Sequence, residues 1–148
     1  MNIYPNSAQI IRRLREISWR FLNKNYIAGR LVEIFGNQVI IDGHSFELSN
    51  PYISTFLKSR FLFKTYEKET RYLVKKYLKP NLPVVEFGGC IGVVSCLANN
   101  MLIDPELHVV VEAQPHLIDT LTKHREINKC KFKIIHAALA YDTKKVNF

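Results

Sequence analysis

Apolar residues follow one period in the first half of this chain and another in the second. From Ala8 to Lys24, Ile10, Leu14, Ile17 and Phe21 recur at helical spacing, and Ile11 and Leu22 widen the stripe. Arg12, Glu16 and Arg20 take the opposite face. The pattern predicts an amphipathic helix with a solvated basic face; contact with a membrane surface or nucleic acid is the functional alternative. Leu31–Phe35 and Val39–Ile41 are short strand-like runs around Gly36-Asn37, which predicts a β-hairpin. Asp42-Gly43 marks a second turn, Ser45–Leu48 a third short strand, and Asn50-Pro51 a helix start. A further helix is expected from Thr65 to Leu78. Thr65 would cap it, Glu67 and Glu69 would sit at its positive end, Lys75 and Lys76 at its negative end, and Pro80 would stop it.

From Pro83 onward, short continuous apolar runs alternate with longer helical patterns. Pro83–Phe87, His108–Val111 and Phe132–His136 read as buried strands. Ile91–Leu102 and Leu117–Asn128 read as the helices between them. This β-α-β-α-β order predicts an α/β fold with a parallel sheet and right-handed crossovers.

Composition adds bounds. The chain has 148 residues, 47% hydrophobic and 23% charged, which suits about one globular domain and excludes wholesale disorder. No apolar run approaches the ~18 residues of a membrane span, and no secretory signal is visible, so a cytoplasmic location is expected. Cys90, Cys96 and Cys130 form no CxxC pair, so reduced thiols are expected and no metal site. The net charge of +8 lies wholly in residues 1–82; residues 83–148 carry equal numbers of acids and bases. A basic front attracts phosphate or acidic partners but says little about fold.

Candidate chemistry lies in Val84-Val85-Glu86-Phe87-Gly88-Gly89-Cys90-Ile91-Gly92. It sets an acid at a strand end, then glycines, then a helix start, where backbone N–H groups are unpaired. A dinucleotide site wants G-x-G-x-x-G, but the position of its first glycine is Phe87, and Glu86 would face a pyrophosphate badly. The pattern is E-x-G-x-x-x-G, which suits a cationic or amine-bearing ligand. Glu112 ends the next strand, 20 residues after Gly92, where a carboxylate accepts hydrogen bonds from ribose hydroxyls. The two acids together point to a nucleoside-type site.

These segments resemble class I S-adenosylmethionine-dependent methyltransferases, most closely the FkbM family. The resemblance rests on TYEKETRYLVKKYLKPNLPVVEFGGCIGVVS, VVVEAQPHLIDTLTKHREIN and FKIIHAALA, and covers about residues 64–148. It implies that Glu86 and the loop Gly88, Gly89, Cys90, Ile91 and Gly92 hold the methionine moiety of S-adenosylmethionine. Glu112 would bind the ribose, Ala113 would lie against the adenine, and His136 and Ala137 would flank its edge. Tyr66 and Glu67 would close over the pocket. Where the family more often has Asp and then Ala-Asn after the glycine, this chain has Glu86 and Gly89-Cys90.

The resemblance also implies a division at residues 62/63, into a basic helix-plus-hairpin region and the cofactor half of a Rossmann-like sheet. A sheet of that class has seven strands, whereas this chain reaches three before Phe148. The expectation is a truncated sheet that a second chain or a missing C-terminal half completes, with weak cofactor binding and poor turnover alone. The acceptor implied is a hydroxyl of a glycan or small molecule. No general base can be named; His116 and His136 qualify by type only. Two other function classes compete: a nicotinamide-dependent oxidoreductase sharing the fold, and a non-enzymatic basic module on nucleic acid or anionic membrane. No RNA-binding signature supports the latter.

Overall fold

The computed structural model describes residues 24–140. The expected helix at Ala8–Lys24 lies outside the described residues apart from Lys24. A helix, α1, spans residues 24–34. It is followed by β1 (Gln38–Ile41), β2 (His44–Glu47), α2 (Thr55–Leu62) and α3 (Lys68–Tyr77). Then come β3 (Val84–Phe87), α4 (Val93–Met101), a 3-10 turn (Pro105–Leu107), β4 (His108–Glu112), α5 (Pro115–Ile127) and β5 (Lys133–His136).

The first half departs from expectation in three places. Residues 31–34, expected as strand, are the end of α1. Asn25, Ala28 and Val32 are buried at i, i+3, i+7, while Ile34 and Phe35 are exposed, so the helical period prevails over the short apolar run. Gly36 and Asn37 close this helix with φ of 81° and 58°, and the Asn37 N–H returns to the Val32 carbonyl. The hairpin turns instead at Asp42-Gly43, whose φ values of 50° and 81° suit a two-residue connection, with Ile41 opposite His44. Asn50-Pro51 starts no helix. The Asn50 amide donates to Thr120 Oγ1 and the His116 carbonyl, tying the loop to α5. Helix α2 begins later, with Ser54 Oγ accepting from the Leu57 N–H. Thr65 does not cap α3: its hydroxyl donates to the Arg60 carbonyl, and Glu67 holds the N-cap position.

The second half follows the expected order. The sheet is β3-β4-β5, all parallel, with Val84 beside His108 and Val109 beside Lys133. In parallel pairing, residues in register share a face. One face therefore carries Glu86, His108, Val110, Glu112 and Ile134. Asn99 of α4 reaches His108 on that face, and Leu121 of α5 meets Gly89 beside Val110. The other face carries Val85, Phe87 and Ile135, which are exposed.

One buried cluster joins the halves. Phe46, Leu48 and Phe61 pack with Ile91, Val110, Leu121 and Phe132. Polar staples cross it as well. Ser45 and Asn128 exchange two hydrogen bonds, of 2.8 and 2.9 Å. The fully buried His124 accepts from the Glu47 N–H at 2.9 Å and donates from Nδ1 to the Ile91 carbonyl at 2.6 Å. Burial holds its imidazole below the usual histidine range, so the ring is neutral. Further out, Arg71 and Lys75 clamp Asp42 at the hairpin turn, each at 2.6 Å.

Candidate functional site

The glycine loop is shaped by what surrounds it. Gly88 and Gly89 N–H groups both donate to the Val111 carbonyl, which bends the chain across the end of β4. A Cβ on Gly89 would lie 2.3 Å from Val110 Cγ1, so no side chain fits there. Gly92 combines φ of 88° with a Leu121 methyl that would sit 2.9 Å from a Cβ. Gly92 is the N-cap of α4, and the loop thus delivers the chain to a helix start.

Glu112 fixes the loop from the neighbouring strand. Its Oε2 accepts from the Cys90 N–H at 2.6 Å, and its Oε1 from the Gln114 N–H at 2.7 Å. The side chain is buried. Each carboxylate oxygen has a second lone pair, so the group that ties down the loop keeps acceptor capacity for a ligand.

Against this loop lies a cleft of about 230 Å³, open on one side, between the end of β3 and the start of α3. Tyr66, Glu67, Glu86, Gly88, Gly89 and Cys90 line it, together with Thr70, Phe87, Val93 and Val94. It holds two carboxylates and no lysine or arginine, in a chain of net charge +8. Sites that enclose a whole drug-sized ligand run about 300–1,000 Å³. This cleft therefore suits one arm of a ligand.

Each wall residue has a distinct setting. The Tyr66 ring stacks on Phe61 at 4.4 Å, and its hydroxyl donates to Cys90 Sγ at 3.3 Å. Burial and the adjoining thiol push that hydroxyl far above the ordinary tyrosine range, so it stays a neutral donor. Burial likewise pushes the Cys90 thiol up, with the Tyr66 hydrogen bond opposing it only in part. Cys90 is thus a poor nucleophile. Glu67 is exposed with φ of 48°, and its carboxylate accepts from Thr70 Oγ1. Glu86 faces two ways: it lines the cleft, but its Oε2 is turned inward, 3.4 Å from His108 Nε2.

The remaining residues of interest gather at the ends of β4 and β5. The Ala137 N–H donates to the Glu112 carbonyl, and His136 Nε2 lies 3.2 Å from the Ala113 carbonyl. His136 is exposed and pairs in register with Glu112. Ile91 does not reach the cleft; its side chain is in the core. His116 stacks on Tyr52 at 4.3 Å. Thr70 and His108 were not foreseen. The only signal for His108 was its place at the start of a strand, which becomes meaningful once the register sets it on the face of Glu86.

Among the described residues, no group of three or more potential ligands could hold a metal ion, and no helix is long and apolar enough to cross a membrane. No family model, no curated protein and no solved structure matches the chain. The molecule is an α/β protein with a three-stranded parallel sheet and an acidic cleft at its glycine loop.

Proposed function

We propose that this cleft binds the methionine arm of S-adenosylmethionine and that the chain is the cofactor-holding part of a methyltransferase. The observation that carries the reading is the charge of the cleft: two carboxylates and no cation beside a glycine loop, in a basic protein. The cofactor is cationic at its sulfonium and its ammonium. A dinucleotide would instead place a diphosphate where Glu86 stands, with no lysine or arginine to meet it. The resemblance of these same segments to the FkbM family points the same way, with no family model matching the chain.

In this account Glu86 accepts from the ammonium, and Glu67 adds negative charge at the mouth. The Gly88–Cys90 backbone packs against the arm. The second lone pairs of Glu112 accept from the ribose hydroxyls. Ala113, His136 and Ala137 flank the adenine at the ends of β4 and β5. The bound cofactor supplies an electrophilic methyl on a good leaving group. The protein's work is then to orient that methyl and exclude water, which lowers the barrier through positioning. The hydroxyl of a glycan or small molecule is the acceptor that the resemblance implies. Because β3 is the outer strand of its sheet, one wall of the crevice beside it has no strand among the described residues. Weak binding and slow turnover by the chain alone follow.

Titration calorimetry with S-adenosylhomocysteine tests the reading, with NADH as the contrast. Saturable one-to-one heat with S-adenosylhomocysteine, lost in Glu112→Ala and absent with NADH, is the expected result. A folded chain that binds NADH, or neither compound, contradicts it.

A further inference from the structure

Glu86 is the cleft residue with the least explained surroundings. Its Oε2 is fully buried and has no hydrogen-bond partner of good geometry. The same is true of Nε2 of His108, a residue with no exposed surface. The two orphaned atoms lie 3.4 Å apart, on adjacent strands. Buried polar atoms are nearly always paired, so two that meet only each other mark a contact with a purpose beyond packing.

The other side of the histidine sets its proton. The Asn99 amide is fixed from two directions: its Oδ1 accepts from the Lys131 N–H at 2.8 Å, and its Nδ2 donates to the Pro105 carbonyl at 2.7 Å. That orientation leaves the second Nδ2 hydrogen pointing to His108 Nδ1, 3.4 Å away. An amide N–H has nothing to accept with, so Nδ1 must be the bare nitrogen. The neutral ring then carries its hydrogen on Nε2, the nitrogen 3.4 Å from Glu86 Oε2. Phe132, at 5.4 Å from the imidazole centroid, packs beside the ring.

We infer that His108 is a positioning residue for Glu86. The relay Lys131 N–H, Asn99, His108 presents one hydrogen-bond donor to the inner oxygen of the carboxylate. It fixes the inner oxygen and leaves the rest of the carboxylate toward the cleft, as the acceptor of a cationic ligand group. The role in ligand binding rests on the methyltransferase reading; the tautomer and the relay do not.

Two measurements test it. The first is nitrogen-15 NMR of the histidine rings in the wild-type chain at neutral pH. His108 is expected as a neutral ring with hydrogen on Nε2; hydrogen on Nδ1, or on both nitrogens, overturns the relay. The second is S-adenosylhomocysteine affinity in two variants. His108→Phe keeps bulk and loses the donor, and affinity should fall about tenfold, the scale of one lost hydrogen bond to a charged group. His108→Gln restores an amide donor near the Nε2 position and should recover most of that loss. Equal weakening in both variants, or none in His108→Phe, overturns the positioning role. A wild-type chain with the expected tautomer but no affinity at all supports the relay and counts against the methyltransferase reading alone.

Discussion

Two histidines are fully buried near the glycine loop and the strand that leads into it, and their surroundings differ in kind. His124 is satisfied at both nitrogens by backbone groups, from Glu47 on one side and Ile91 on the other. It joins the hairpin, α5 and the loop, which are far apart in the chain. His108 is held at one nitrogen by an amide and turns the other to a carboxylate that borders the cleft. The first arrangement is complete in itself and reads as structure. The second is complete only if Glu86 has something to do. The His124 staple belongs to the frame of this molecule, and the His108–Glu86 contact borders its cleft.

Breaking the frame should have the largest effect. His124→Leu leaves the Glu47 N–H and the Ile91 carbonyl buried without partners, at about 1–3 kcal/mol for each group. Urea unfolding should show a loss of several kcal/mol, enough to unfold a marginal domain. A loss under about 0.5 kcal/mol would mean that the staple is incidental. Gly89→Ala comes next. Its Cβ would press on the Val110 and Leu121 side chains, and overpacking of this kind costs about 1–3 kcal/mol. Circular dichroism should show a folded variant with a lower melting temperature.

Acid should weaken the frame more gently. Burial lowers the His124 pKa in the fold below its ordinary value of about 6.5. Between those two values the unfolded chain binds the extra proton and the folded chain does not. Stability from this group is therefore complete above pH ~6.5 and declines as pH falls through it toward the lowered folded value. Buried His44 is shifted in the same direction and adds to the slope. Denaturant midpoints measured from pH 7.5 to 5 should fall, and His124→Gln should flatten the decline relative to the wild type. An unchanged slope in the variant would place the protonation elsewhere. The smallest effect expected is at Thr65, where the hydroxyl caps no helix: Thr65→Ala should shift stability by no more than about 0.5 kcal/mol. Ser54→Ala, which removes an actual cap, should cost about 1 kcal/mol in the same urea assay.

The parallel sheet was legible because its signals are local. Val84–Phe87 and His108–Glu112 are apolar runs bounded by Pro83, Gly88 and Pro105, and each needs only its neighbours in the chain to be read. The hairpin turns one step later than the sequence predicts, because Leu31–Phe35 is a short apolar run next to Gly36-Asn37 and suits a strand as well as a helix end. Only the packing of Asn25, Ala28 and Val32 against the rest of the chain reveals the helical face. Glu86 and Glu112 could be found at strand ends next to glycines. The direction in which Glu112 points, onto the Cys90 and Gln114 amides, could not. Nor could the links from His108 to Glu86, which depends on strand register, or from His124 to Glu47, which spans 77 positions.

The central claim is that the acidic cleft at the glycine loop receives the methionine arm of S-adenosylmethionine. Amide chemical-shift mapping with S-adenosylhomocysteine addresses it most directly. The account predicts saturable shifts at Gly88, Gly89, Cys90 and Thr70, with Ser45 and Asn128 unmoved. Shifts confined to other surfaces, or none at millimolar ligand in a chain with a dispersed spectrum, would contradict it.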